Sequence, residues 1–419
     1  MGQVGELVCR RLLDVAAERM RDEPVILLEG PRAVGKSTLL RQLAGRLGGT
    51  VVDLDDLPTR ALAREDPTLA IDVPGPVLLD EYQHAPELLS AIKARLNRVG
   101  SLGGQFVLAG SSRHDSLPLA AEALTGRLHR LTVLPLAQAE LTGAPGLLAR
   151  LFAHGPDVVR PELSTTSRDD YAARIIAGGF PDALARSTTA RGRWLDDYIA
   201  ATLAKDVAQL KRIRQAAALP RVLAVLAGQT AQILNMRQAG ETLRLDAGLT
   251  AGYTKLLEAV FLIRLLPAWG KTLTSRSAAN PKCHVVDSGV AARLLRLSAA
   301  KLVERDATSL TEFGHLAESF VVGQMLTEAS WLDGVAAAGH WRTYDGDEVD
   351  LVLERDDGLI VAIEVKAGNR AGQTAFRSLA KLRDKTGPAF RVGVAFHMGQ
   401  RGHHYDDRLI ALPIDSLWR

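Results

Sequence analysis

Cysteine is nearly absent from this 419-residue chain. The two present, Cys9 and Cys283, are far apart, which excludes a disulfide framework or a cysteine metal cluster and suits a reducing compartment. No apolar run approaches the ~18 residues needed to span a bilayer. The N-terminal stretch mixes Arg10, Arg11 and Asp14 with apolar residues, so it does not read as a signal peptide. These absences predict a cytoplasmic protein without membrane association. No charge sign dominates either, with 51 Lys and Arg against 48 Asp and Glu. The balance is uneven along the chain, however. Residues 1–150 carry 17 basic against 18 acidic side chains, residues 151–301 carry 21 against 12, and residues 302–419 carry 13 against 18. The middle third is thus the electrostatic footprint expected of a nucleic-acid partner, or else a set of solvated arginine-rich helix faces. At this length two to four domains are expected rather than one core.

What is present begins with Gly30-Pro31-Arg32-Ala33-Val34-Gly35-Lys36-Ser37, a complete G-x-x-x-x-G-K-[ST] loop followed by Thr38. It lies between the apolar run Val25–Leu28 and a helix-like segment, the context in which backbone N–H groups can cradle a phosphate. Lys36 is placed to reach the β- and γ-phosphates, and the Ser37 hydroxyl to ligate Mg²⁺. The expected ligand is ATP with Mg²⁺. Further strands are predicted at Thr50–Leu54, Val77–Leu79, Phe106–Ala109 and Leu131–Leu134, alternating with helical patterns as in a parallel α/β sheet. The third strand ends in Asp80-Glu81, about 45 residues after the loop. That is a Walker B arrangement, with Asp80 holding the metal and Glu81 polarising the attacking water. Ser111 or Ser112, after the fourth strand, is a candidate γ-phosphate sensor, or part of a serine-rich turn. Arg127 is a candidate to face a neighbouring subunit's nucleotide, with Arg113, Arg130 and a plain surface role as alternatives.

Together Gly30–Leu40, Val77–Leu88, Leu108–Arg113 and Thr125–Arg127 resemble a family of prokaryotic AAA-type (AAA+) ATPases that carry a C-terminal region of unassigned function. Gly178–Pro181, Leu262–Trp269, Pro281-Lys282, Asp287–Gly289 and Gly314–Glu318 are similar to that region. The resemblance implies an AAA+ ATPase domain and a homo-oligomer, such as a hexameric ring.

The expected organisation is an ATPase domain at 1–150, a helical lid at 151–218, a basic module at 219–300 and a last domain at 301–419. In the basic module, helices at Leu219–Ala231, Asn235–Leu243 and Thr250–Val260 precede strands at 261–266 and 283–286. That order matches a winged helix, used on DNA or only for packing. On DNA, Thr250, Tyr253, Thr254 and Lys255 would face the groove, and Lys271 and Arg276 would contact phosphates. In the last domain Asp350 is followed fourteen positions on by Glu364-x-Lys366. Two strands joined by a turn would bring these acids to one sheet end, with Glu364 and Lys366 on one face. This looks like the PD-(D/E)xK nuclease core, with Glu318 added from the helix Phe313–Leu326. Glu318, Asp350 and Glu364 would bind Mg²⁺ or Mn²⁺ and Lys366 would orient or deprotonate a water. The leading expectation is an ATP-driven DNA nuclease. The alternatives are a regulatory ATPase that binds nucleic acid or a partner protein without cutting, and a nuclease-like fold used only for packing.

Overall fold

The computed structural model describes residues 8–111, 124–206, 216–270, 280–298, 301–302 and 307–419; Ser112, Lys271 and Arg276 lie outside them. The chain divides into two compact units. The first comprises Met1–Leu136, Ala201–Ile213 and Ala259–Phe261, and the second Ala137–Ala200, Arg214–Glu258 and Leu262–Arg419. Among the described residues no helix is long and apolar enough to cross a membrane.

The first unit is built on five strands, β1 (Val25–Glu29), β2 (Thr50–Asp53), β3 (Val77–Asp80), β4 (Phe106–Gly110) and β5 (Leu128–Thr132). They pair in parallel in the order β2-β3-β4-β1-β5. β1, β3 and β4 are buried along their whole length, as continuous Val, Ile, Leu and Phe runs require of strands covered on both faces. The apolar run Leu131–Leu134 misplaces the fifth strand by three residues. β5 is an edge strand whose first two positions, Leu128 and His129, are only partly covered and whose third, Arg130, is exposed, so its pairing segment does not advertise itself by hydrophobicity. Because β4 inserts between β1 and β3, the residue that follows it emerges between the ends of those two strands.

In the second unit three helices, Leu219–Gly228, Met236–Leu243 and Ala247–Ala259, accompany a small antiparallel sheet. Its strands are β6 (Gln232–Ile233), β7 (Ile263–Leu266) and β8 (Lys282–Val285), ordered β6-β8-β7. The C-terminal part of the unit is a mixed six-stranded sheet. Strands β9 (Val335–Arg342), β10 (Glu348–Arg355) and β11 (Ile360–Lys366) form an antiparallel meander. β12 (Phe390–His397) runs parallel to β11, and β14 (Leu409–Pro413) parallel to β12, with β13 (His403–Asp406) as the outer antiparallel strand. The helix Gln373–Thr386 covers this sheet, packing Phe376, Leu379 and Leu382 with Val352, Ile360, Ala362 and Phe390. The helix predicted at Phe313–Leu326 is longer, Ala307–Ser330.

Candidate functional site

The phosphate loop leaves β1 at Gly30, where a side chain is impossible: a Cβ would lie 2.1 Å from the Val133 carbonyl oxygen. The loop then runs through Pro31, Arg32, Ala33 and Val34 to Gly35, whose φ of 93° favours glycine and which caps the helix Lys36–Leu47 without a side-chain bond. With no side chain spent on the cap, the first helical N–H groups face the loop, in the position that binds anions. Lys36 is 5% exposed, and its ammonium donates to the carbonyls of Gly30 (2.9 Å) and Pro31 (2.6 Å). Ser37 and Thr38 open the helix, and the Ser37 hydroxyl hydrogen-bonds the carboxylate of Asp80 at the tip of β3. Burial raises the Asp80 pKa above the usual carboxylate range, against the Ser37 hydrogen bond and the Lys36 charge. Asp80 Oδ1 is buried without a hydrogen-bond partner. An orphaned carboxylate oxygen beside a serine hydroxyl fits a hydrated Mg²⁺, which Ser37 and Asp80 would hold while the helix terminus and Lys36 take the phosphates.

Glu81 follows with φ 52° and ψ 47°, a left-handed conformation rare for glutamate. Its carboxylate accepts from Gln83 Nε2 and from the Ser111 hydroxyl at 3.4 Å, and Gln83 Nε2 also reaches Ser111 Oγ at 3.3 Å. Ser111 is buried at the end of β4, between the tips of β1 and β3. Gln83 is absent from the sequence reading; its signal is its place in the single turn that follows Asp80-Glu81. Arg127 donates to Asn97 Oδ1 at 2.7 Å within its own unit.

The C-terminal acids do converge. The register Leu351↔Ile363 sets Asp350 beside Glu364, and the Val365 N–H donates to Asp350 Oδ2 at 2.9 Å. Lys366 Nζ pairs with Glu364 Oε1 at 2.6 Å. The centre of the cluster holds a residue that the sequence offered only as part of the Pro281-Lys282 pair. Lys282 on β8, 1% exposed, places its ammonium 2.7 Å from Glu318 Oε1, 2.8 Å from Asp350 Oδ1 and 2.5 Å from Glu348 Oε1. The expectation that Glu318 and Asp350 stand open for a metal is therefore corrected: an ammonium from the chain itself sits among them. Burial pulls the Lys282 pKa down, but Asp350, Glu318 and Glu348 outweigh it and hold the group well above the usual lysine range. Burial, reinforced by Asp350, raises Glu318 well above the carboxylate range and takes Glu364 to about 8. Glu364 Oε2 has no hydrogen-bond partner. Among the described residues no group of three or more His, Cys, Asp or Glu is arranged to hold a metal ion.

With this geometry in view, comparison with known proteins divides the chain. Residues 22–142 match a family model described as an AAA domain. The first unit has the parallel-sheet P-loop ATPase fold of the AAA type. Residues 168–301 and 313–417 match two models described only as domains of unknown function, DUF8612 and DUF4143. Uncharacterized proteins of Mycobacterium tuberculosis and Mycobacterium bovis are each 28% identical over 408 residues, covering 96% of this chain and 83% of theirs. A Walker-type ATPase of Pyrococcus abyssi superposes with a TM-score of 0.45 at 16% identity, over 69% of this chain and 96% of its own, too loosely to argue from.

Outside the AAA-type domain, the proposed groove-facing residues need correction. Thr250 and Tyr253 are buried, as are Thr254 and Leu257, which makes i, i+3, i+4, i+7 the inner stripe of the helix Ala247–Ala259. The Thr250 hydroxyl is spent on the Asp246 carbonyl at 2.9 Å. Lys255 is exposed.

Proposed function

We propose that the chain binds and hydrolyses ATP with Mg²⁺ and couples that cycle to DNA through its second unit. The observation that carries the ATPase reading is the orphaned Asp80 oxygen beside the Ser37 hydroxyl, directly behind the uncapped helix terminus and Lys36. Glu81, held by Gln83 and Ser111, is the residue placed to polarise the attacking water. Assembly as a homo-oligomeric ring, with Arg127 released from Asn97 to meet a neighbour's nucleotide, belongs to the same reading. In the second unit, the helix and strand order around β6, β7 and β8 supports a winged-helix-like module. The convergence of Asp350, Glu364, Lys366 and Glu318 on a mixed sheet supports a PD-(D/E)xK-like nuclease domain. A second reading, a regulatory ATPase that engages DNA or a partner protein without cutting, is favoured by the Lys282 ammonium inside the acidic cluster.

The test is a pair of variants assayed with a DNA duplex. Lys36→Ala is expected to lose ATP binding, and Glu81→Gln to bind ATP but hydrolyse it at least about a hundredfold more slowly. Unchanged turnover in either defeats the ATPase assignment. DNA cleavage with Mg²⁺ or Mn²⁺ that disappears in Asp350→Ala and Lys366→Ala supports the nuclease. Intact DNA with nucleotide-dependent binding that is indifferent to Glu364→Ala supports the regulatory reading.

A further inference from the structure

Two unfavourable features meet in the turn that follows β3. Glu81 holds φ 52° and ψ 47°, a left-handed backbone that a glutamate keeps only where its surroundings enforce it. Two residues on, Gln83 Oε1 is buried without a hydrogen-bond partner, which opposes folding. The turn is nonetheless firmly seated. Tyr82, 1% exposed, packs into the core of the first unit with Ala85 and Leu88. The His84 N–H donates to the Glu81 carbonyl at 2.9 Å, and the Arg64 guanidinium donates twice to the His84 carbonyl, at 3.0 and 2.6 Å. β4 ends against the turn in Gly110, where a Cβ would lie 2.7 Å from Tyr82 Cε1 and 2.9 Å from Gln83 Oε1. Glycine at that position lets the Gln83 carboxamide lie against the strand end, beside Ser111.

The result is a closed ring of three side chains. Gln83 Nε2 donates to Glu81 Oε2 and to Ser111 Oγ at 3.3 Å, while the Ser111 hydroxyl donates to the same Glu81 oxygen at 3.4 Å. Both bonds to the carboxylate go to Oε2. Glu81 Oε1 makes no hydrogen bond among the described residues, and is the oxygen left to a water. The hydroxyl bond is long, so the amide is the firmer of the two holds. Without it a glutamate side chain, with its several rotatable bonds, would sample many orientations.

We infer that Gln83 is a positioning residue for ATP hydrolysis: its amide fixes Glu81 Oε2 against Ser111, so that Oε1 meets the attacking water. Gln83 acts only through Glu81. This rests on the reading of Glu81 as the residue that polarises that water, and adds that Glu81 needs Gln83 to do so.

The experiment measures ATP turnover and equilibrium ATP binding by the full-length protein with Mg²⁺. Gln83→Met keeps the length of the side chain and removes the amide. It is expected to lower kcat at least about tenfold and to leave the Kd for ATP within about twofold of wild type. In the Glu81→Gln background the same change should lower the residual rate by less than about twofold, because residues that act as one unit do not add. A kcat within about threefold of wild type overturns the inference, as does a Kd weakened in step with kcat, or the same fold-loss repeated in the Glu81→Gln background. If Gln83→Met does not fold, the smaller Gln83→Ala carries the same expectations. Loss of folding in both makes the amide a structural support and overturns the inference too. The ATPase reading fails by a different result, wild-type turnover that Glu81→Gln leaves untouched.

Discussion

At the scale of single residues, the acidic cluster makes stability depend on pH in an unusual direction. Glu364 has a folded pKa raised to about 8, so the folded protein holds this proton more tightly than the unfolded chain does. The stabilisation is complete below the ordinary glutamate pKa and is lost as pH rises towards 8. Urea midpoints are therefore expected to fall between pH 5 and pH 8.5, and the fall should be smaller in Glu364→Gln. An equal or larger fall in the variant would refute the assignment. The individual residues were unequally legible. The loop from Gly30 to Ser37 is contiguous, and its physics is local, so sequence alone placed it. Lys282 was not legible as a cluster member, because Glu318 and Asp350 lie 36 and 68 positions away and nothing local marks a lysine destined for burial. Gln83 was missed for a different reason: an amide two residues beyond an acid pair is an ordinary turn residue until the fold of Glu81 turns it inward.

Elements were easier to find than their faces. The helix Ala247–Ala259 was expected within a few residues, but its polar Thr250 and Tyr253 were read as outward-facing. The 3.6-residue period, anchored on Leu257, puts them inside. Tyr253→Ala is accordingly expected to destabilise the protein by about 3–5 kcal/mol. Lys255→Ala should leave the urea midpoint where it is, because that side chain is exposed. A wild-type-like midpoint for Tyr253→Ala, or a large shift for Lys255→Ala, would show that the inner face has been misassigned. Among strands, β10, β11 and β12 carry apolar runs. β9 does not, since Val-Ala-Ala-Ala-Gly-His-Trp-Arg has little β-propensity and gains its place from pairing with β10. β13 is exposed at all four positions and has no hydrophobic pattern to read.

For the whole molecule, the telling quantity is where charge sits. Residues 151–301 carry an excess of nine positive charges, 21 against 12, between two mildly acidic flanks. If this third meets DNA backbone, affinity should collapse with salt. About six to ten phosphate contacts would cost about 10³–10⁵ in affinity between about 50 and 200 mM salt. Fluorescence anisotropy with a labelled duplex measures this, and a flat salt profile would rule out a backbone-dominated contact. The two-unit division was only partly foreseeable. A phosphate loop predicts its own sheet, but the joining of the β6–β8 module to the C-terminal sheet depends on backbone bridges, such as that of Trp269 and His340, which composition does not reveal.

The lysine at the heart of the acidic cluster has one more consequence, for how the protein matures. A chain that carries its own neutralising amine need not wait for an inorganic ion before its last sheet closes. Newly made molecules should reach their folded form in metal-starved cells, and chelators should leave that form standing.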